Sequence, residues 1–336
     1  MNRNIDDKKN LIFGALAFIE NYESNPDMTQ AVNEYKGYEV YIKNAVVSLV
    51  SAKQHNLDTD VALVTNIQLE EKWKKIFKKN GIIIFECSYE NFCMSADVKY
   101  SLSYYKLCAF DYILKNTNYD RFCFLDCDTY CVNNFENIWL EVDDAFLVVP
   151  NDSSLNERIR KELIQIYGKI NGGVSQKIVH VNSALIVGTR TELVDIINRC
   201  ESIYNKLIQI NDIKPEGGDE VIWSLALADY KGKIHSPKAY ILLANIGLYE
   251  YWVDKKYYED EDIIIWHLPS EKRYAMIWAY NKFEQTNKVP NMKQMAKACR
   301  IRKIYNRFTL LSIRAILLDK TVIKRNLKKL RRNFSG

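Results

Sequence analysis

The chain has 336 residues, of which 48% are hydrophobic and 26% are charged, a composition typical of globular proteins that bury a sizeable core. It contains no run approaching the roughly 20 apolar residues of a membrane-spanning helix. The net charge of +5 conceals an asymmetry, because residues 297–336 carry thirteen Lys or Arg and one acid, whereas residues 1–296 carry 34 basic and 41 acidic residues. Only the C-terminal part is basic.

Cysteine usage and the N-terminal residues indicate the compartment. The eight cysteines include no Cys-x-x-Cys pair, which argues against a zinc site. Residues 1–10 are polar, and the apolar run 11–19 is followed by Glu20 and Asn21 rather than by a small-residue cleavage site, so no signal peptide is predicted. We therefore expect a protein of the reducing cytoplasm.

The first third of the chain alternates predicted strands and helices. Residues 11–19, 60–66 and 81–85 have the length and apolar composition of buried strands, and residues 41–50 and 69–79 have the apolar spacing of helices. This alternation predicts an α/β fold with a parallel sheet that is covered by helices on both faces.

The rest of the chain continues the alternation less regularly. We predict helices at residues 104–114, 153–168, 192–205 and 217–229, and strands at residues 122–125, 145–150, 179–188 and 263–267. No internal repeat or low-complexity linker interrupts this pattern. The sequence therefore predicts one catalytic domain, residues 1–296, followed by an appendage, residues 297–336.

The most informative stretch is residues 120–130 (DRFCFLDCDTY). An apolar run, residues 122–125, ends in Asp126 and Asp128, as expected of a buried strand that delivers acids to the carboxyl edge of its sheet. If the strand continues through both acids, their side chains point the same way. Two such ligands suit Mg²⁺ or Mn²⁺ holding a diphosphate. A surface turn is the alternative, but buried carboxylates without a partner would be costly.

A second pair of acids, Asp219 and Glu220, follows two glycines at the start of the helix predicted at residues 217–229. Acidic residues at a helix N-terminus are stabilised by the helix dipole. This placement alone explains them without any catalytic role.

Four short pieces of the sequence together resemble the family-eight retaining glycosyltransferases, the group of glycogenin and of the bacterial lipooligosaccharide galactosyltransferases. In order, they are residues 105–107 (YKL) with 124–129 (FLDCDT), residues 181–184 (VNSA), residues 218–220 (GDE) and residues 266–269 (WHLP). The resemblance covers roughly residues 11–275. It implies a nucleotide-sugar transferase fold of GT-A type, with a single Rossmann-like mixed sheet flanked by helices.

The resemblance also implies roles for individual residues. Asp126, Asp128 and His267 correspond to the metal ligands, and Asp126 also lies near the ribose in the family. By the same resemblance, Tyr41 stacks on uracil, Lys106 lies beside the sugar and the diphosphate, and Asn182, Asp219 and Glu220 face the transferred sugar. Three of these residues have an ordinary structural alternative: His267 as a core histidine at a strand end, Tyr41 as a core aromatic, and Lys106 as a surface lysine.

Two departures from the family pattern concern the loops of the site. The family commonly has Gly-Asp-Gln where this chain has Gly-Asp-Glu at residues 218–220. After the histidine it commonly has Gly-x-x-Lys-Pro-Trp, where residues 270–274 read SEKRY. Arg273 falls at the position of that lysine and keeps a cation for the diphosphate, whereas the loss of the glycine and of Pro-Trp leaves the shape of the loop open.

The basic appendage has the spacing of an amphipathic helix. Its apolar positions are Ile304, Phe308, Leu311, Ala315, Leu318 and Val322. Such a helix suits an anionic lipid surface, and a helix docked on the domain with a solvated basic rim is the alternative. No nucleic-acid recognition motif accompanies the charge.

The resemblance predicts a hexosyltransferase that uses Mn²⁺ or Mg²⁺, a UDP-sugar donor and a glycan or glycolipid acceptor, with retention of configuration, in bacterial surface polysaccharide or lipooligosaccharide synthesis. We expect it on the inner face of the cell membrane. A nucleotidyltransferase is one alternative, but residues 13–20 contain one glycine and no Arg or Lys of that class's signature. A non-catalytic peripheral membrane scaffold is the other.

Overall fold

The computed structural model describes residues 8–19, 37–95, 98, 100–151, 157–173, 178–210, 215–237, 240–243 and 263–299. Beyond Cys299, the predicted amphipathic tail lies outside the described residues. Within the described ranges, no helix has both the length and the apolar character needed to cross a membrane.

The described residues form ten strands and nine α-helices. The strands are β1 (Asn10–Leu16), β2 (Asp60–Thr65), β3 (Ile82–Glu86), β4 (Arg121–Leu125), β5 (Thr129–Cys131), β6 (Phe146–Pro150), β7 (Val181–Thr189), β8 (Ile234–His235), β9 (Ile241–Leu243) and β10 (Ile265–His267). The helices are α1 (Gly37–His55), α2 (Glu71–Lys79), α3 (Tyr105–Asn116), α4 (Glu136–Glu141), α5 (Glu157–Asn171), α6 (Arg190–Ile210), α7 (Asp219–Ala228), α8 (Ala275–Thr286) and α9 (Met292–Ala298). The predicted elements are therefore confirmed with shifted ends, whereas the short strands β5, β8 and β9 and the helices α4, α8 and α9 were not predicted.

Seven strands form one mixed sheet in the order β3-β2-β1-β4-β7-β6-β8. Strands β1 to β4 are mutually parallel, β6 is parallel to β8, and β7 runs antiparallel to both of its neighbours. Helices cover both faces. The predicted α/β class is confirmed, and the mostly parallel sheet is compatible with a Rossmann-like architecture.

The two faces of the sheet bury separate apolar clusters, and β1 contributes to both. Ile12 and Leu16 belong to the cluster covered by α1, α2 and α8, whereas Leu11 and Phe13 belong to the cluster covered by α3, α6 and α7. Successive side chains of a strand point to opposite faces, so a strand buried on both faces must be apolar throughout. Burying each such side chain contributes about 1.5–3 kcal/mol.

The strand order places a crevice at the carboxyl ends of β1 and β4. The chain proceeds from β1 to β2 and β3 on one side and then returns to form β4 on the other side of β1. Loops that leave two adjacent parallel strands in opposite directions open a crevice, and ligands of open α/β sheets bind there. The stretch that follows β4 begins at this point.

A second, three-stranded sheet has the order β5-β10-β9. Strand β10 pairs antiparallel with β5, with His267 opposite Thr129, and parallel with β9. The prediction of a single mixed sheet is therefore wrong, because β10, which ends in His267, belongs to a separate sheet. Residues 126–128 carry the chain from one sheet into the other, and β5 then has its edge free to pair with the distant β10.

The end of the described chain packs on the domain. Asn291 caps α9 through a reciprocal pair of hydrogen bonds with Gln294. Met295, Ala296 and Cys299 are buried. The predicted domain boundary between residues 296 and 297 lies inside this helix.

Candidate metal and sugar-nucleotide site

The two acids after β4 are brought together by a turn. Strand β4 ends before Asp126, and the Thr129 amide and hydroxyl both donate to the Asp126 carbonyl, at 3.1 and 2.8 Å. The Leu268 amide donates to the Asp128 carbonyl at 2.9 Å and ties the turn to the segment after β10. The two acids therefore lie in a turn, where the chain bends to enter the second sheet, and the condition under which their side chains would point the same way is not met.

The turn and the end of β10 place three ligand groups together. One ligand atom each from Asp126, Asp128 and His267 lies within 4.8 Å of the other two. His267 Nε2 is 3.4 Å from Asp128 Oδ1, and these two residues are only 6% and 4% exposed. Two ligands at roughly 2.1 Å from one ion lie at most about 4.2 Å apart. A shift of about half an ångström would therefore let all three bind one cation.

Asp128 is surrounded by positive and polar groups that keep it ionised. Burial alone would raise the pKa of its carboxyl, but Lys272, whose Nζ lies 3.1 Å from Oδ2, and His267 together hold the pKa well below its usual range. Lys272 Nζ also lies 5.8 Å from the centre of the Tyr41 ring, and Asn44 Nδ2 donates to the Lys272 carbonyl at 3.1 Å. The predicted base-stacking tyrosine is therefore a neighbour of the acid cluster.

Lys106 links the first acid to the second pair of acids. Its Nζ donates to Asp126 Oδ2 at 2.9 Å and to Ser183 Oγ at 3.0 Å, and lies 3.9 Å from Asp219 Oδ1. Burial alone would lower the pKa of this ammonium, but Asp126 and Asp219 raise it above its ordinary value. Lys106 is therefore a partly buried cation between two acids, and the surface-lysine alternative does not describe it.

Asp219 is positioned by the backbone that precedes α7. Gly218 has φ +63°, and a Cβ there would come within 2.5 Å of Ser103 Oγ, which accepts a hydrogen bond from the Asp219 amide at 3.0 Å. Asp219 is 2% exposed. Burial raises the pKa of its carboxyl to about 6, although Lys106 opposes the shift.

Glu220 is held by groups of β7 and of the segment that precedes it. Its Oε2 lies 2.8 Å from His180 Nε2, and the Ser183 amide donates to Oε1 over a long 3.4 Å. The Glu220 side chain is 22% exposed, compared with 3% for Asp219. Of the two acids at this helix start, Glu220 is the one that reaches solvent.

Asn182 lies where β7 bulges. The pairing of β6 with β7 jumps from Ile186 to Asn182, so residues 183–185 have no partner on β6. Asn182 Oδ1 accepts a hydrogen bond from the Ala184 amide at 2.9 Å, and the Ala184 carbonyl accepts one from the Asp126 amide at 3.0 Å. The bulge thus places Ser183 beside Lys106 and Glu220, whereas the side chain of Asn182 bonds the backbone of its own strand.

Sequence reasoning missed Lys272 and His180. The sequence assigned the diphosphate cation to Arg273, whereas the side chain found on Asp128 is that of the preceding residue, Lys272. The role predicted for Arg273 stays a prediction. A histidine within an apolar run was the available signal for His180.

Unsatisfied polar atoms concentrate at this site. Among the described residues, ten buried side-chain nitrogen or oxygen atoms have no hydrogen-bond partner, and four of them belong to Asp128, His180, Asp219 and His267. Each such atom costs about 1–3 kcal/mol. Asp128 Oδ1 is an anionic oxygen that a divalent cation accepts as a ligand, and the His267 nitrogen beside it is Nε2, at 3.4 Å, so the residues present fit a metal ion.

In comparisons with known proteins, no family model matches this chain, and no curated protein matches it significantly.

Proposed function

We propose that this chain is a metal-dependent glycosyltransferase, of the GT-A type of fold, that transfers a hexose from a UDP-sugar to a glycan or glycolipid acceptor with retention of configuration. The observation that carries the proposal is the contact of Lys106 with both sets of acids. Its ammonium lies 2.9 Å from Asp126, in the candidate metal cluster, and 3.9 Å from Asp219, in the predicted sugar-binding pair. The motifs of the resemblance therefore meet in one place.

The donor diphosphate would bind at the acid cluster. Asp126, Asp128 and His267 would hold a divalent cation, which neutralises the charge that develops on a leaving diphosphate. Lys272 offers a second cation to diphosphate oxygens. Tyr41, beside Lys272, offers a ring on which uracil can stack, for about 1–3 kcal/mol by analogy with base stacking in nucleic-acid complexes.

The transferred sugar would lie between Lys106 and the start of α7. Retention requires either a nucleophile on the face opposite the leaving group or attack from the same face through an ion pair. The more exposed Glu220 supports a role beside the anomeric carbon, and the buried Asp219 supports a role in binding sugar hydroxyls, together with Asn182. Glu220→Gln separates a carboxylate role from a polar positioning role, because glutamine is a poor nucleophile.

The test is hydrolysis and transfer measured over a panel of UDP-sugars with Mn²⁺, with the anomeric configuration of the product read by NMR. Asp128→Asn should abolish Mn²⁺-dependent turnover and leave the fold intact. Asp195→Asn, which changes a surface ion pair with Arg199, is the matched control. A ligand at 100 times its Kd should raise the free energy of unfolding by about 2.7 kcal/mol. A wild-type protein that neither turns over any donor nor gains thermal stability with UDP and Mn²⁺ would refute the proposal and favour a non-catalytic scaffold.

The basic tail supports a second part of the proposal, attachment to an anionic membrane surface. The tail has thirteen basic residues and one acid. Salt screens the attraction between a basic residue and anionic headgroups beyond about 10 Å, so the basic residues would have to lie close to the membrane surface. Attraction of roughly 1 kcal/mol per basic residue near such a surface would give salt-sensitive binding.

A further inference from the structure

His180 is a buried histidine whose hydrogen-bonding contact is with Glu220. It is 4% exposed and lies directly before β7, with Nε2 2.8 Å from Glu220 Oε2. Its other ring nitrogen, Nδ1, is buried without a partner among the described residues. A histidine that only filled space in the core would not need its polar edge directed at an acid of the candidate site.

The contacts define which nitrogen carries the proton. An ionised carboxylate only accepts hydrogen bonds, so Nε2 must be the donor to Glu220. A second proton on Nδ1 would be a buried donor without an acceptor, which is the costlier arrangement. The geometry therefore favours a hydrogen on Nε2 rather than on Nδ1.

We propose that His180 is a positioning residue that fixes the carboxylate of Glu220 for the transfer reaction, and this inference rests on the function proposed above. Glu220 has a long side chain on the first turn of α7, and the other hydrogen bond to its carboxylate, from the Ser183 amide, is long at 3.4 Å. The bond from His180 holds Oε2 and leaves Oε1 near the amide of Ser183, the residue whose hydroxyl accepts a hydrogen bond from Lys106.

The chain offers a matched control. His235 and Glu141 form a second histidine–glutamate pair, with Nδ1 and Oε1 3.0 Å apart, between α4 and β8, the edge strand that lies three places from β4 in the sheet. Replacing His235 removes the same kind of bond without touching Glu220. Loss of activity specific to His180 variants then reports on the site rather than on a lost surface interaction.

The first experiment measures kcat and KM for His180→Leu, His180→Gln and His235→Leu. Misplacement of a reacting group by about an ångström can cost up to about 100-fold in rate. We expect His180→Leu to lower kcat by about 10–100-fold with little change in KM or Mn²⁺ affinity. His180→Gln, whose amide can replace the Nε2 donor, should recover most of the rate, and His235→Leu should match the wild type.

The second experiment is a double-mutant cycle with Glu220→Gln. If His180 acts through Glu220, adding His180→Leu to Glu220→Gln causes no further loss, whereas a general structural role gives losses that multiply. Equal losses in His180→Leu and His180→Gln, or multiplying losses in the cycle, would overturn the inference.

The third experiment needs no turnover. The chain has four histidines, so ¹⁵N NMR of the substrate-free protein can assign His180 by substitution. The expected result is the Nε2–H tautomer, with a signal that shifts in Glu220→Gln; an Nδ1–H tautomer would overturn the inference. A wild-type protein that turns over no donor overturns the proposed function instead, whereas an active wild type with an equally active His180→Leu overturns only the positioning role.

Discussion

Lys272 occupies part of the candidate metal site, and replacing it should change metal and nucleotide affinity in opposite directions. Its ammonium lies 3.1 Å from Asp128 Oδ2, and Asp128 is 4% exposed. Among the described residues, the oxygen of Asp128 without a hydrogen-bond partner is Oδ1, so a cation bound there would lie on the same carboxylate as this ammonium, and repulsion between the two positive charges would weaken the ion pair. Lys272→Gln removes the competing ammonium and keeps a polar side chain of similar length.

The size of the effect follows from this bond. A hydrogen bond to a charged group contributes about 1.5–3 kcal/mol, and about 1.4 kcal/mol corresponds to a factor of ten in affinity. Lys272→Gln should therefore bind Mn²⁺ about 10–150-fold more tightly in the absence of nucleotide. Without metal, the variant should be less stable by a similar amount, because the buried Asp128 loses one of its cations, and Mn²⁺ should restore the stability. UDP should bind more weakly, because the diphosphate loses a partner.

Mn²⁺ affinity can be measured by electron paramagnetic resonance, UDP affinity by calorimetry, and stability by thermal melting with and without Mn²⁺. Lys282→Gln, on the exposed face of α8, is the control for loss of one positive charge. Arg273→Gln tests the neighbouring cation that the sequence predicted for the diphosphate. Unchanged Mn²⁺ affinity in Lys272→Gln would refute the reasoning that Lys272 competes for Asp128.

Three further predictions use other parts of the chain. Gly218→Ala should lower the melting temperature and the turnover more than Gly172→Ala. Both glycines have positive φ, 63° and 67°, but only a Cβ at Gly218 would meet another atom, Ser103 Oγ at 2.5 Å. Equal effects of the two substitutions would contradict this reasoning. Asp219→Asn should raise the free energy of unfolding at pH 7.5 but not at pH 4. Because the folded-state pKa of Asp219 is about 6, the native protein binds one more proton than the unfolded chain between about pH 4 and 6, so the stability of the wild type falls as pH rises through that window, by roughly 3 kcal/mol in total. Urea titrations at several pH values can measure this fall and its absence in the variant. Deleting residues 300–336 should release the protein from anionic liposomes and spare activity on a small acceptor that needs no membrane; unchanged co-sedimentation would count against a membrane role for the tail.

Much of the main sheet could be predicted from the sequence because its signals are local. A strand buried on both faces has to be apolar along its whole length, and β1, β2 and β4 read as such runs. The start of α7 was also predicted, because glycines followed by acids are typical of a helix N-terminus. Strand ends were less accurate, since a polar residue can still belong to a strand when its backbone is paired.

The candidate site was predicted only in part. The proximity of Asp126, Asp128 and His267 was predicted, and their ligand atoms do lie within 4.8 Å of one another, but the predicted single sheet was wrong. A turn and a second sheet bring them together. The sequence pattern could not show this, because β5 and β10 are three residues each and their pairing spans more than a hundred residues.

What the sequence by itself determined is the set of elements and the positions of the acids, because burial and helix dipoles act on each segment separately. The tertiary structure decided which partners those acids have. Lys272 rather than the adjacent Arg273 contacts Asp128, and His180 contacts Glu220 across forty residues of chain. Consecutive side chains in a turn point in different directions, and a contact between distant segments depends on the packing of the elements that carry them.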